Sequence, residues 1–375
     1  MLRWTYRLGA ACVCGLALIA WALLHERLAA RTKPEFKTAR PGYVWSFPRD
    51  HGMHPGYRIE WWYYTGHLDA RDGRRFGFQF TIFKVETTPW QTGDRFPPVL
   101  LIAHSALADE SGERLLYHET FQRIFPGMSG NIPDAAEVGL FVERDRLRID
   151  RGGARHRLDF GTKDFRLGLD LSTKLGPVLQ GQGGFSPKGP EPENASHYYS
   201  LVDLVGSATL SIDGAAIPIE SARGWMDHEF SSNFLGDEQR GWDWFWFALD
   251  NDVKAMIFRV RSNRGPEHDY YSGTIIEANG NSRALDPGEL RIEPLQTWRS
   301  PKTGAEYPVR FRVDIGTNRV TTDAWFPAKE LNTRVAGVIY WEGPIDVTGT
   351  WEGREVRGQG FAEMTGYAES VGKRF

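Results

Sequence analysis

The sequence predicts an all-β protein, built as a sandwich or a barrel. Apolar and polar residues alternate with a period of two through much of the chain, as in strands that bury one face. Turn pairs such as Asp72-Gly73 and Asp213-Gly214 close short alternating runs, which is typical of antiparallel hairpins. No amphipathic pattern of helical length occurs before the final stretch. Antiparallel strands joined in this way form sandwiches or barrels.

The first 33 residues are predicted to be a signal peptide or a membrane anchor. Residues 8–24 are apolar and uncharged, and Arg3 and Arg7 precede them. That charge placement favours a cytoplasmic N-terminus and export of the remaining chain. The segment is close to the lower length limit of a membrane-spanning helix. We therefore expect a periplasmic or secreted protein, which stays tethered to the inner membrane if the segment is not cleaved.

Composition restricts the cofactors and partners. The net charge of -3 does not mark the chain as a nucleic-acid binder. Both cysteines, Cys12 and Cys14, lie inside the predicted export segment, so the exported part has no disulfide and no cysteine ligand for a metal. The ten histidines show neither HxH nor HExxH spacing. We therefore predict no metal site.

The alternating runs follow a polar linker at residues 31–42. In residues 76–82, three phenylalanines and an isoleucine share one face, and residues 165–171, 210–214 and 309–315 repeat the pattern. Each of these runs is predicted to be a strand with one buried face.

A change of pattern between about residues 221 and 241 divides the chain. We predict two domains, 34–232 and 233–375, with a cluster of titratable residues at their boundary. The Gly- and Pro-rich residues 173–196 have no sustained period. A loop of this length is a lid, a binding loop or a disordered segment.

Glu60 is the first candidate for chemistry. In a strand, Glu60, Trp62 and Tyr64 share one face. A carboxyl packed against a tryptophan is desolvated, which raises its pKa and makes it a usable acid. The alternative is an ion pair between Glu60 and a nearby arginine such as Arg58.

His104 and Ser105 follow an apolar strand, but neighbouring strand residues face opposite ways, so the pair is not a dyad. The sequence also has no Gly-x-Ser-x-Gly elbow. We interpret His104 as a pocket or core histidine and find no hydrolytic nucleophile.

Residues 223–233, RGWMDHEFSSN, form the densest titratable cluster. On a strand, Asp227 shares a face with Trp225 and Glu229, while His228 lies on the other face. His228 is then either a hydrogen-bonded core residue or a group that donates a proton or positions water.

Three tryptophans at alternate positions follow this cluster: Trp242, Trp244 and Trp246. Such a stripe is either strand core or one wall of an apolar cavity. In a cavity, the ring faces would stabilise a positive centre that develops beside them.

Six runs together resemble the carotenoid 1,2-hydratase (hydroxyneurosporene synthase) family and the wider group of AttH-like secreted proteins. They are IEWWYYTGHL, FGFQFTIFK, AHSALAD, SHYYSL, RGWMDHEFSS and GWDWFWFAL. The likeness spans roughly residues 43 to 260, and the later strands suit the family's second domain. The resemblance implies two lipocalin-like antiparallel β-barrel domains packed together, with an apolar ligand cavity near their interface. It also implies a reaction without a cofactor, in which an alkene is protonated and water is added.

The resemblance assigns roles to residues of the matching runs. Asp227 and His228 match the family's Asp-His motif and Phe230 its adjacent aromatic position, while the three tryptophans line the pocket. Further ligand contacts are expected from Trp62, Tyr64, His104 and Tyr198. The chain departs from the family on the strand KAMIFRVR, where Arg259 and Arg261 stand and no acid does. Asp243 and Asp250 are the candidates to replace that acid.

Two functions remain open. One is a hydratase or isomerase acting on an isoprenoid, carotenoid or lipid, with Asp227 as proton donor, His228 orienting it or activating water, and Glu60 as a second candidate acid. The other is a lipid carrier that works with an envelope ABC transporter. Under either hypothesis we expect a monomer with an apolar small-molecule ligand and no nucleic-acid partner.

Overall fold

Alternating runs form long strands whose apolar faces are buried. In β2 (Arg75–Glu86), Phe76, Phe78, Phe80 and Ile82 have no solvent-exposed surface. The computed structural model describes residues 35–90, 96–131, 137–286, 288–335 and 337–371. Apart from strands, these residues form two 3-10 turns, Arg49–His51 and Pro266–His268. The predicted all-β class is confirmed.

The first sheet has fourteen strands and curls into a near-barrel. Its main path runs in the order β4-β3-β2-β1-β14-β12-β9-β8-β7-β6-β5, and β10, β11 and β13 pair with β12. Besides β2, its strands are β1 (Ile59–Ala70), β3 (Val99–Asp109), β4 (Arg114–Arg123), β5 (Ser129–Asn131), β6 (Glu137–Val142), β7 (Asp145–Asp150), β8 (Arg155–Gly161), β9 (Phe165–Ser172), β10 (Val178–Leu179), β11 (Phe185–Pro187), β12 (Ala195–Ile212), β13 (Ala215–Ile217) and β14 (Ile219–Ser231).

The second sheet has ten strands and curls into a half-barrel. Its order is β18-β17-β16-β15-β24-β23-β21-β20-β19, and β22 pairs with β23. The strands are β15 (Gln239–Leu249), β16 (Lys254–Ser262), β17 (Tyr270–Ile276), β18 (Ser282–Ala284), β19 (Leu290–Arg299), β20 (Glu306–Ile315), β21 (Asn318–Ala324), β22 (Glu330–Asn332), β23 (Ile339–Trp351) and β24 (Arg354–Thr365).

Apolar side chains form one core inside each sheet and a third core between them. The third includes Tyr63 and Trp225 from the first sheet and Trp244 from the second. Gly77 permits close approach of the sheets, since a Cβ atom there would lie 2.5 Å from Cγ of Pro344. The sheets thus meet along a packed interface, and a cavity lies within it.

The chain leaves the first sheet at Ser231 and enters the second at Gln239. The predicted domain boundary at 232/233 falls in the connection between them. Residues 37–375 nevertheless form one compact unit, and the division into two domains stays a prediction. The predicted export segment at 8–24 lies outside the described residues. Within the described part of the chain, no helix has the length and apolarity needed to span a bilayer.

Residues 173–196 are not disordered, so that alternative is wrong. Two short strands of this segment, β10 and β11, pair with β12. This pairing supplies hydrogen-bond partners for the backbone of the segment. A Gly- and Pro-rich sequence does not predict such strands. The segment also carries Lys188 to the interface.

Candidate functional site

A cavity of about 480 Å³ lies between the two sheets, with walls from both. Aromatic rings form much of its surface, and four carboxyl side chains reach it from the strands. The carboxyls are those of Asp227, Glu229, Glu342 and Glu363. The rings belong to Trp61, Tyr63, Phe83, Tyr198, Phe234, Trp242, Trp244, Phe258 and Tyr340. Acids enclosed by rings have little water around them, so their protonation is shifted.

Asp227 reaches the cavity because β14 alternates as predicted, with Trp225, Asp227 and Glu229 on one face. Three donors point at one carboxyl oxygen of Asp227, Oδ1. They are Tyr198 Oη at 2.7 Å, Ser200 Oγ at 2.5 Å and Trp225 Nε1 at 3.0 Å. Oδ2 is buried and has no hydrogen-bond partner among the described residues.

Burial raises the pKa of Asp227 to about 7, although its three hydrogen-bond donors act in the opposite direction. The charge of Glu229 adds to the rise. Near neutral pH a substantial fraction of Asp227 is therefore protonated. Because Oδ1 already accepts three hydrogen bonds, the proton is placed on Oδ2. Asp227 thus offers one acidic hydrogen that no neighbouring side chain holds.

Glu342 and Glu363 form an acid pair that the sequence analysis missed. They are direct register partners on β23 and β24. Tyr63 donates a hydrogen bond of 2.5 Å to Glu342, and Trp242 Nε1 donates one of 2.9 Å to Glu363. Tyr63 is also the register partner of Asp227, so its side chain connects the acids of the two sheets.

Burial raises the pKa of both carboxyls in the acid pair. Burial is the largest cause of the raised pKa of Glu342, and the charge of Glu363 adds to it. Burial likewise raises the pKa of Glu363 to about 7, against the hydrogen bond from Trp242. The sequence does contain one signal for this pair. Glu363 shares a strand face with the apolar residue Phe361, and an acid on an apolar face indicates a buried carboxyl.

Glu363→Gln is expected to remove a pH-dependent loss of stability. The unfolded carboxyl has a pKa near 4.5 and the folded one near 7, so the folded state binds more protons between these values. Wild-type stability therefore falls as pH rises from about 4.5 through 7. Urea denaturation at pH 5 and pH 8 should show a smaller loss for Glu363→Gln than for wild type. The exposed Glu355→Gln on the same strand is the control, and equal losses in both variants would contradict the assignment.

Lys188 balances part of this negative charge. Its Nζ lies 2.9 Å from Glu229 Oε2 and within about 5 Å of the ring centroids of Tyr198, Phe234 and Phe258. Burial lowers the pKa of Lys188, although Glu229 opposes the shift. The cavity therefore contains one ammonium group directed at Glu229 and leaves Asp227 without an ion-pair partner among the described residues.

Four of the predicted ligand-contact residues line the cavity: His104, Tyr198, Trp242 and Trp244. His104 Nδ1 lies 2.9 Å from the Tyr340 hydroxyl, and burial lowers the pKa of His104. Trp246 is not in the cavity wall. It stacks on Trp225 and donates a hydrogen bond of 2.7 Å to Thr65.

The remaining predicted site residues do not face this cavity: Glu60, Trp62, Tyr64, His228 and Phe230 lie on the opposite side of the sheet. Glu60 Oε1 accepts hydrogen bonds from His54 Nδ1 at 2.6 Å and His228 Nε2 at 2.8 Å. Its Oε2 lies 3.1 Å from Lys84 Nζ. The structure therefore separates Asp227 from the two residues predicted to act with it.

The acid role expected for Glu60 stays a prediction, and the surroundings of this carboxyl do not favour it. Burial alone would raise the pKa of Glu60, but Lys84 and His54 outweigh it and hold the pKa well below its ordinary value. The ion pair considered as the alternative does form, with Lys84 as the cation. Lys84 lies on the neighbouring strand as the register partner of Glu60, a pairing that sequence distance does not show.

His54, Glu60 and His228 could offer three ligand atoms to a metal ion, all within 4.8 Å of one another. The group is already satisfied by hydrogen bonds between its members, and Lys84 neutralises Glu60. A divalent ion would have to displace both imidazole hydrogen bonds beside a buried ammonium group. These residues therefore fit a closed ion-pair network better than a metal centre.

Neither candidate for the missing family acid occupies the cavity. Asp243 faces the interior of the second sheet, where Arg259 Nε donates to it at 2.8 Å and Arg261 Nε lies 3.3 Å away. Asp250 is exposed and accepts a hydrogen bond from the backbone of Arg357. The acids of β23 and β24 are instead the ones beside Trp242.

Comparisons with known proteins agree with this architecture. The AttH-like family model matches residues 38–367. A crystal structure from Nitrosomonas europaea, described as an AttH, has 32% identity and a TM-score of 0.76, covering 88% of this chain and 100% of its own. A comparison with curated proteins found no match.

Two more distant structures share the fold. Kievitone hydratase from Nectria haematococca has 15% identity and a TM-score of 0.67, with 90% of this chain and 98% of its own covered. CghA bound to Sch210972 has 12% identity and a TM-score of 0.52, with 91% and 97% covered. The family match and the Nitrosomonas structure both extend over the two sheets. The chain belongs to the AttH-like family.

Proposed function

We propose that the protein is a hydratase-like enzyme that protonates a carbon-carbon double bond of an apolar substrate without a cofactor. The main support for this proposal is the environment of Asp227. Asp227 is a buried carboxyl that is partly protonated at neutral pH, with an unpartnered oxygen in a ring-lined cavity. A raised pKa and convergence on an enclosed pocket are features of general acids.

The proposed step moves one proton from Asp227 to carbon. The Oδ2–H bond breaks, the alkene π electrons form a C–H bond, and a carbocation remains beside the Asp227 carboxylate. A raised pKa makes Asp227 a weaker acid, so the cation must be stabilised after transfer. The carboxylate and the faces of Trp242 and Trp244 provide that stabilisation in a site with little water.

Water then adds to the carbocation and releases a proton. We assign its acceptance to Glu363, which is partly ionised near pH 7 and lies beside Glu342. Exchange with solvent then removes the proton from Glu363 and returns one to Asp227, which restores the starting state, so the sum is one water added across one double bond. Loss of a proton from carbon instead would give an isomerised alkene, so the same acid supports hydratase or isomerase chemistry.

The family and fold are compatible with this proposal. One structure that shares the fold is named as a hydratase, kievitone hydratase. At 15% identity the likeness supports the architecture, and the assignment to this chain depends on Asp227 and its cavity. The ring walls favour an isoprenoid, a polyene or another lipid as substrate.

A lipid carrier is the second candidate, because the same cavity also suits simple retention of an apolar molecule. The predicted export segment at 8–24 would keep such a carrier near the inner membrane and an envelope transporter.

Native mass spectrometry of protein purified from its own host, with extraction of bound lipid, separates the two functions. An alkene accompanied by its hydrated or isomerised form supports the enzyme. A mixture of ordinary phospholipids, bound unchanged, supports the carrier.

A further inference from the structure

We propose that one end of the first sheet docks on a phospholipid bilayer through an aromatic patch formed by Phe96, Phe121, Phe125 and Met128. These four side chains are between 44% and 58% exposed. The rings of Phe96 and Phe125 stack with centroids 6.1 Å apart. A cluster of large apolar side chains in water is unfavourable and marks an interaction surface.

The aromatic patch continues an apolar row that begins in the cavity. Phe83 and Ile102 line the cavity and are register partners on β2 and β3. Ile102 is in turn the register partner of Phe121 on β4. Directly paired residues of adjacent strands share a face, so this row leads from the cavity wall to the exposed ring of Phe121.

The chain enters the compact unit at the same end of the sheet. Ser232 Oγ donates a hydrogen bond to the carbonyl of Lys37 and accepts one from the backbone N–H of Arg58. Arg58 and Ile59 also line the cavity. The predicted membrane segment ends at residue 24, and twelve residues, 25–36, separate it from Lys37. The predicted anchor at residues 8–24 would therefore join the compact unit at this end of the sheet.

Exposed arginines suit the surface of a bilayer that contains anionic lipid. Arg123 is exposed and adjoins Phe121 along β4. Arg334 is exposed, and its backbone N–H donates a hydrogen bond to Glu119, two residues before Phe121. Arg58 is exposed at the cavity margin. Basic groups around exposed rings are typical of interfacial membrane binding.

A bilayer is the partner that connects these observations. The patch adjoins the cavity, and an apolar substrate is concentrated in the hydrocarbon layer of a membrane. Docking would let that substrate pass along the Phe121 row without crossing water. The substrate route rests on the proposed function, whereas docking itself is measurable without turnover.

Fluorescence of a probe on the patch tests the proposal in the full-length chain. Cys12 and Cys14 are replaced by serine, and Phe125→Cys is labelled with nitrobenzoxadiazole. The control is Val205→Cys, which is 46% exposed in wild type. The position of Val205 along the sheet follows from the strand register. Val205 pairs with Arg223, and Arg223 pairs with His67. His67 lies eight residues along β1 from Ile59, the residue at the patch end of that strand. The control thus lies towards the opposite end of the same sheet with similar exposure.

In vesicles of phosphatidylcholine and phosphatidylglycerol, we expect the probe at 125 to shift its emission to the blue. Lipids brominated in their acyl chains should quench it several-fold more than the probe at 205, and Phe121→Ser should weaken that quenching. Equal emission and quenching at the two positions would overturn the proposal. A shift without lipid that grows with protein concentration would also overturn it, since a second copy would then cover the patch. Either failure would leave the function of Asp227 standing.

Discussion

Asp227→Asn is expected to lower turnover by a factor of roughly 10²–10⁴, the usual contribution of a general acid, while ligand binding is retained. Asparagine keeps the oxygen that accepts hydrogen bonds from Tyr198, Ser200 and Trp225. Its amide, however, cannot transfer a proton to carbon. The measurement is the rate of conversion of the alkene extracted from wild-type protein, together with the amount of that alkene bound.

Asp252→Asn is the matched control, because Asp252 is exposed in a turn of the second sheet. We expect it to retain wild-type turnover. If Asp227→Asn also retains wild-type turnover, Asp227 is not the acid. If it loses both turnover and binding, the loss reflects the cavity rather than the proton.

The same roles imply a bell-shaped pH dependence of kcat/KM. Asp227 must be protonated and Glu363 must be ionised, and the pKa of each carboxyl is about 7. The rate should therefore decline as pH rises above 7, because Asp227 loses its proton. It should also decline as pH falls below 7, because Glu363 gains one. In Glu363→Gln the acidic limb should disappear, and an unchanged limb would contradict the assignment of Glu363.

Lys84→Met is expected to lower the free energy of unfolding by about 3–5 kcal/mol, the range for breaking a buried ion pair. Lys84 is fully buried, with Nζ 3.1 Å from Glu60 and 2.8 Å from Glu86. It also donates a hydrogen bond to the carbonyl of His54 at 2.6 Å. Methionine conserves much of the volume but removes the ammonium group that the buried carboxyls of Glu60 and Glu86 share.

Urea denaturation at pH 7 measures this loss. Lys163→Met is the control, since the Lys163 side chain is 90% exposed and lies 3.9 Å from Asp164. Exposed pairs contribute little, so the control should differ from wild type by less than about 1 kcal/mol. If Lys84→Met also lowers the free energy of unfolding by less than about 1 kcal/mol, the ion pairs of Lys84 with Glu60 and Glu86 are not needed for the fold.

The strands and the directions of their side chains were predictable from alternation. The sequence placed Asp227 and His228 on opposite faces, and the structure confirms it. It also placed Glu60 on one face with Trp62 and Tyr64, which the structure confirms. A period of two is a local property of the backbone, and no knowledge of distant contacts is needed to recognise it.

Which face meets which neighbour was not predictable. The hydrogen bond from Tyr63 to Glu342 joins residues 279 positions apart, and periodicity carries no information on such pairings. From the sequence alone Glu363 would be placed towards solvent, because an acid in an alternating strand usually faces solvent. Lys188 arrives from an aperiodic segment whose short strands form only against β12. The chemistry of the cavity therefore emerges from the assembly of the two sheets.

Transfer of deuterium to carbon tests whether Asp227 protonates the substrate. Wild-type protein and Asp227→Asn are each incubated in D2O with the alkene extracted from the wild type, and the products are analysed by mass spectrometry. We expect one deuterium bonded to carbon per product molecule with wild type, and none above background with Asp227→Asn. Recovery of the unlabelled alkene from wild-type protein, or equal labelling by both proteins, would contradict this role of Asp227.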